Sequence, residues 1–258
     1  MTPVLLALLL AVALFLGLFL LMELGRRIGV RLLAKENKDD APGLGIVDGA
    51  IFSLLGLLIA FTFSGAAERF KAHRQLVVEE TNDIGTAYLR IDTLPAEAQP
   101  EIRAAFRQYV DARIAVYQMA GDHLAAKDAS NKADALQAEI WSRAVVASQS
   151  ASSTLAGMLL LPALNDMIDI TTTRAVAMQT HPPGIIYGAL LAIMLISAVL
   201  AGYGLAGGWL ESWIHTVAYC AVMVAVTYVI VDFEFPRLGL IRVDAVDQIL
   251  VDLRSTMN

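Results

Sequence analysis

Three carboxylates, Glu79, Glu80 and Asp83, fall at helical spacing, and His73 precedes them by one to two turns. Such side chains hold a metal when they converge, as Glu-x-x-His motifs do on facing helices. No Glu-x-x-His occurs in this chain, and the other histidines, His123, His181 and His215, stand far apart. The cluster therefore reads as a solvated helix face that pairs with Lys71 or Arg74 earlier on the same helix. If several copies gathered around an axis, the same three acids would line a vestibule that attracts cations. Asp166, Asp169 and Arg174 read as a structural ion-pair group. No nucleophile–base pair, phosphate-binding loop or cofactor fingerprint is present, so no enzyme activity, cofactor or bound metal is expected. The single cysteine, Cys220, cannot form an intrachain disulfide.

A second group is apolar. Leu55, Ile59 and Phe63 recur every four residues, so they share one helix face, with Thr62 and Ala66 flanking it. That face either packs on another helix or meets lipid. Repeated around an axis, it would instead form a narrow ring of the kind that gates by dewetting.

The elements that carry these residues follow from composition. The 258 residues are 57% hydrophobic and 17% charged, which indicates an integral membrane protein. A net charge of −6 gives no footprint for nucleic acid. Val4 to Met22 is an uncharged run of spanning length. It has no basic residues before it and no small-residue cleavage site after it, so it reads as an anchor rather than a signal peptide. A charged connector from Glu23 to Gly43 follows, ending in the turn signal Asp39-Asp40-Ala41-Pro42-Gly43. Gly49 to Ala67 is the second span, Gly184 to Leu210 the third and Trp213 to Val231 the fourth. Gly45-x-x-x-Gly49 and Gly204-x-x-x-Gly208 permit close helix approach.

Between the second and third spans, residues 68–180 carry 11 basic and 14 acidic side chains and no strand-like alternation. They read as four helices. The first continues out of the second span to about Ile91. The second runs from about Ala96 to Ala126, the third follows a cap at Asp128–Asn131, and the fourth starts at Pro162. From Asp48 to Asp92 there is no proline, so membrane and water-facing halves could form one rod on the order of 60 Å long. In its second half Phe70, Val77, Ile84 and Ile91 recur every seven residues, a seam suited to helices of the same chain or of other copies. The division is 1–67 (two spans and a connector), 68–183 (a helical bundle), 184–231 (a membrane hairpin) and 232–258 (a C-terminal tail).

The segment FSGAAERFKAHR resembles the junction of bestrophin channels, where an apolar helix ends in an Arg-aromatic step with a further basic residue four or five positions on. Here Glu68 leads into Arg69-Phe70, and Arg74 is the later base. More closely, GLLIAFTFSGAAERFKAHRQLVVEETNDIGTAYLRID, LPALNDMIDITTTRAVAM and VDFEFPRLGLIRV resemble the bacterial bestrophin-like domain family of membrane proteins. The resemblance implies an all-α membrane protein of four transmembrane helices, with a helical soluble bundle inserted between the second and third. It also implies a homo-oligomer in a lipid bilayer, a pentamer in bestrophins, with the second helix lining a pore for small inorganic ions. The bundle and termini would face the cytoplasm of a bacterial inner membrane. Bestrophins carry an acidic, proline-containing segment after the last span that helps bind calcium; Asp232, Glu234 and Pro236 stand in the similar place, without the long acidic run. The expected function is a passive ion channel. The competing expectation is a non-conducting scaffold or sensor whose bundle binds a partner. In that case the Phe70–Ile91 seam would be an intrachain core, and Leu55, Ile59 and Phe63 would be packed within the chain.

Overall fold

The computed structural model describes residues 3–33, 44–119, 122–150, 155–206, 209–235 and 244–257. Among these there is no strand. The helices are α1 (Pro3–Leu33), α2 (Leu44–Arg90), a 3-10 turn (Ile91–Thr93), α3 (Gln99–Gln118), α4 (His123–Ser150), α5 (Leu155–Gln179), α6 (Gly184–Gly204), α7 (Trp209–Glu234) and α8 (Asp244–Thr256). Four stretches are long and apolar enough to cross a bilayer: Leu5–Leu32, the start of Gly45–Thr93, the stretch Leu155–Gly204 that contains α6, and Trp213–Glu234. The chain is an integral membrane protein by this measure. It divides into two compact units, residues 1–70 with 181–241, and residues 71–180 with 242–258.

In the first unit α1 lies along α6 and α7. Glycine sets the approach. A Cβ on Gly202 would stand 1.9 Å from the Met22 carbonyl oxygen, and one on Gly25 would stand 2.0 Å from that of Val199. Both helices therefore meet backbone to backbone, as small residues allow in membranes. Gly45, Gly49 and Gly204 have nothing within 4 Å of the same position, so none of these three makes this contact; Gly208 lies outside the described residues. The pair that does, Gly25 and Gly29, lies in what reads as a connector. α1 in fact runs on to Leu33, because Glu23 accepts from Arg26 (2.8 Å) and Arg27 (2.7 Å) along the helix and nothing there breaks it. The turn signal at 39–43 lies outside the described residues. Leu18, Met22, Leu55, Ala66, Met194 and Cys220 belong to the core of this unit. A hydrogen bond of 2.8 Å between the hydroxyls of Ser197 and Tyr219 ties α6 to α7.

The second unit is built from the C-terminal half of α2 with α3, α4, α5 and α8. Val77, Ile84 and Ile91 of the sevenfold seam are buried inside it. The Tyr88 and Phe106 rings meet at 5.8 Å between α2 and α3. Three expected boundaries move. The helix expected from about Ala96 to Ala126 is α3, which ends at Gln118. The cap of α4 is Asp122, whose carboxylate accepts from the backbone of Leu124 (3.0 Å) and Ala125 (3.2 Å), so Asp128–Asn131 is helix interior. Pro162 lies inside α5, which already begins at Leu155. A proline there removes one intrahelical bond, and its position on the exposed side lets the helix continue. The C-terminal segment contributes α8, where Arg254 forms a bidentate pair with Asp111 of α3 at 2.7 and 3.1 Å. Leu250 is buried on the same helix.

Candidate functional site

α2 is continuous through its 47 residues, so the face it presents can be followed without a break. Leu55 is 2% exposed, Thr62 and Ala66 are buried and Ile59 is half-buried, all turned toward the chain's own helices. The Thr62 hydroxyl donates to the carbonyl of Leu58 at 2.8 Å. Phe63, 41% exposed, differs from these four, and its ring meets Phe233 of α7 at 5.6 Å. Four of the five residues expected to line a path are thus covered by the same chain. The opposite face is open. Gly49, Ser53, Gly56, Ala60 and Ser64 recur every three or four residues along it, and all are exposed. Exposed Leu54, Leu57 and Phe61 border it. Serine, glycine and alanine recurring on one face of a spanning helix are a signal the sequence does carry, as a second period beside the apolar one.

At the membrane junction, Arg69 grips Glu234 of α7 with two nitrogens, Nε at 2.9 Å and Nη2 at 2.7 Å from Oε2. Glu234 is buried, and its Oε1 also lies 2.9 Å from Nδ1 of His181. Aromatic rings enclose the group: Phe70 meets Phe233 at 5.3 Å, and His181 meets Phe235 at 5.0 Å. The junction motif therefore splits. Arg69 and Phe70 turn inward, while Glu68 and Arg74 are exposed. Asp232 is buried, and Pro236 lies outside the described residues. Calcium of the bestrophin kind does not fit here. Both oxygens of Glu234 are taken by Arg69 and His181, and a calcium ion needs six to eight oxygen ligands. Among the described residues no group of three or more His, Cys, Asp or Glu could hold a metal.

The third group lies past the span, in the second unit. Glu80 is 0% exposed, although Glu79, its neighbour, is exposed and Asp83 is half-buried. Glu80 therefore cannot share a solvated face with the other two. Its carboxylate accepts from Nε of Arg113 (2.6 Å), from the Tyr117 hydroxyl (2.8 Å) and from Arg174. The Arg174 guanidinium also lies over the Tyr117 ring at 4.2 Å. Burial opposes the charge on Glu80, yet Arg113 and Arg174 outweigh it and hold the carboxyl below its ordinary range. Burial likewise opposes the charge on Arg113, and Glu80 more than offsets that, keeping it above its usual value. Burial pushes the Tyr117 hydroxyl up. Asp83 is pushed up by burial and by the carboxylates of Glu79, Asp166 and Glu80. Sequence reading assigned Arg174 to Asp166 and Asp169 and passed over Arg113. The available signal was position: Arg113 continues the buried Ile102, Phe106, Tyr109 stripe of α3, where a charge must find a partner.

The Bestrophin-like domain family model matches residues 13–247. The chain belongs to the bestrophin-like domain family. The match takes in the α1–α6 glycine contact, the open face of α2, the Arg69–Glu234 pair and the buried Glu80 cluster. No curated protein and no solved structure matches this bestrophin-like chain.

Proposed function

We propose that several copies of this bestrophin-like chain assemble around an axis and conduct small inorganic ions passively, with α2 nearest the axis. The open face of α2 carries this reading. Gly49, Ser53, Gly56, Ala60 and Ser64 are exposed on the side opposite to the buried Leu55, Thr62 and Ala66. Lipid gains nothing from small and hydroxyl side chains, whereas helix contacts and wet paths in membranes use them. The path is thus assigned to Ser53, Ala60 and Ser64, and not to Leu55, Ile59, Thr62 and Ala66. Phe63 stands at its border. Glu79 and Asp83 bias the aqueous mouth toward cations, without Glu80. The second unit stands in the cytoplasm of a bacterial inner membrane, in keeping with its family.

A specific observation favours the other reading, a scaffold or sensor that does not conduct. The seam of Val77, Ile84 and Ile91 and the side chain of Leu55 are already satisfied within one chain. Native mass in lipid nanodiscs and ion efflux from liposomes separate the two. The channel reading expects a symmetric oligomer and efflux above that of empty liposomes. A monomer, or efflux equal to that of empty liposomes, overturns it.

A further inference from the structure

The junction cluster contains an imidazole, a type of side chain able to change charge near neutral pH. His181 precedes Pro182-Pro183 and the first turn of α6. Its Nδ1 lies 2.9 Å from Oε1 of Glu234, the last residue of α7. Glu234 is in turn held from the other side by Arg69 of α2. One buried carboxylate therefore joins the end of the α2 span, the end of α7 and the approach to α6. The His181 side chain is 38% exposed, so protons reach it. The prolines that follow prevent the helix from extending back over residues 181–183, so the imidazole holds this approach from outside the helix, beside Tyr187 within it.

We propose that His181 is a proton-operated latch that fastens the start of α6 to the α2–α7 pair. In its neutral form the imidazole can donate a single N–H to the Glu234 carboxylate. Once protonated it becomes a second cation on the same carboxylate and adds a coulombic attraction to that bond. Imidazole is the side chain that makes this change between pH 5 and 8. The other charged and titratable groups around it are Arg69 from α2, Glu234 and the buried Asp232 from α7, and Tyr187 from α6, whose hydroxyl lies beside Glu234 and Arg69. The ring of Phe235, 5.0 Å from the imidazole, covers one side of the latch.

The sign is fixed. Protonation adds an attraction present only when α6 is docked, so lower pH closes the latch and higher pH loosens it. The test is amide hydrogen exchange of the whole protein in lipid nanodiscs at pH 5.5 and 7.5, expressed as protection factors so that the intrinsic pH dependence of exchange is removed. Protection over the first two turns of α6 falls about fivefold from pH 5.5 to 7.5 in the wild type. In H181N, whose amide keeps a donor but does not titrate, it stays constant. In E234Q the pH dependence also disappears and protection is low at both values. Equal pH dependence in wild type and H181N overturns the latch, as does protection that rises with pH. Should E234Q fail to fold, the H181N comparison decides alone. The readout is local opening, so it stands or falls separately from conduction.

Discussion

Arg174 and Glu80 are 94 residues apart in sequence, and the guanidinium of one donates to the buried carboxylate of the other. Arg113 reaches the same carboxylate from α3, so two cations converge on one anion. Taking any of these charges out of water is costly, and the arrangement holds only while it is complete. Glu80→Ala leaves two buried guanidiniums without their counter-ion and should cost about 3–5 kcal/mol of stability in the second unit. Glu80→Gln keeps the shape and part of the hydrogen bonding and should cost less. Thermal unfolding in detergent measures both. A loss under about 1 kcal/mol for Glu80→Ala would show that the guanidiniums find water or other partners, as surface pairs do.

The same cluster sets a pH dependence. The folded-state carboxyl of Glu80 is held below its ordinary value, so its contribution is present above the unfolded-state glutamate value. That contribution is lost as pH falls from there through the depressed folded value. Asp83 works in the opposite sense, since burial and neighbouring acids push it up. Its ionised form opposes folding at neutral pH, and the opposition eases as pH falls. Asp83→Asn should therefore raise the melting temperature at pH 7, and that advantage should shrink as pH falls and vanish below the unfolded-state aspartate value. Glu80→Gln should flatten the acid limb of the wild-type profile. Superimposable acid limbs for wild type and Glu80→Gln would remove Glu80 from the account.

How much of this was open to sequence reading depends on the kind of signal. Four apolar runs and an unbroken Asp48–Asp92 stretch are long-period features, and the helices follow them. Helix ends depend on single side chains, and there the reading shifted: Glu23 with Arg26 and Arg27 extends α1, and Asp122 caps α4 ahead of the expected place. The family was legible because Arg69-Phe70 and the segments around it are contiguous. Which face of α2 is free was not. Leu55, Ile59 and Phe63 identify an apolar face by period alone, and period does not say whether the chain covers that face itself. Arg113, Arg174 and Glu80 converge only once α2, α3 and α5 are packed, so no spacing in the sequence links them.

The α1–α6 contact yields a prediction confined to the first unit. A side chain at Gly202 would meet the Met22 backbone, which cannot swing away as a flexible tip would. Gly202→Val should lower the melting temperature sharply or prevent assembly of the unit. Gly49→Val and Gly56→Val, with nothing within 4 Å, should leave the fold of a single chain intact. Fluorescence-detected size-exclusion profiles after heating provide the measurement. Equal tolerance at Gly202 and Gly49 would mean that α1 and α6 do not lie in backbone contact.

Two substitutions on opposite sides of α2 decide which face matters. Leu55 is buried in the core of the first unit, so Leu55→Ala opens a cavity and should cost about 2–5 kcal/mol. If the path runs along the open face, that variant, once folded, conducts much as the wild type does. Ala60→Trp adds a large ring on the exposed side, displaces nothing within the chain and should leave the stability of one chain nearly unchanged. In an assembly with α2 at its axis the ring meets its own copies, and liposome efflux should drop by at least about tenfold, the effect of a barrier raised by about 1.4 kcal/mol. A tryptophan at 60 that leaves both efflux and native mass unchanged would place that face against lipid. The reverse pattern, with efflux responding to position 55 and not to position 60, would return the path to the apolar face that the spacing of Leu55, Ile59 and Phe63 first marked.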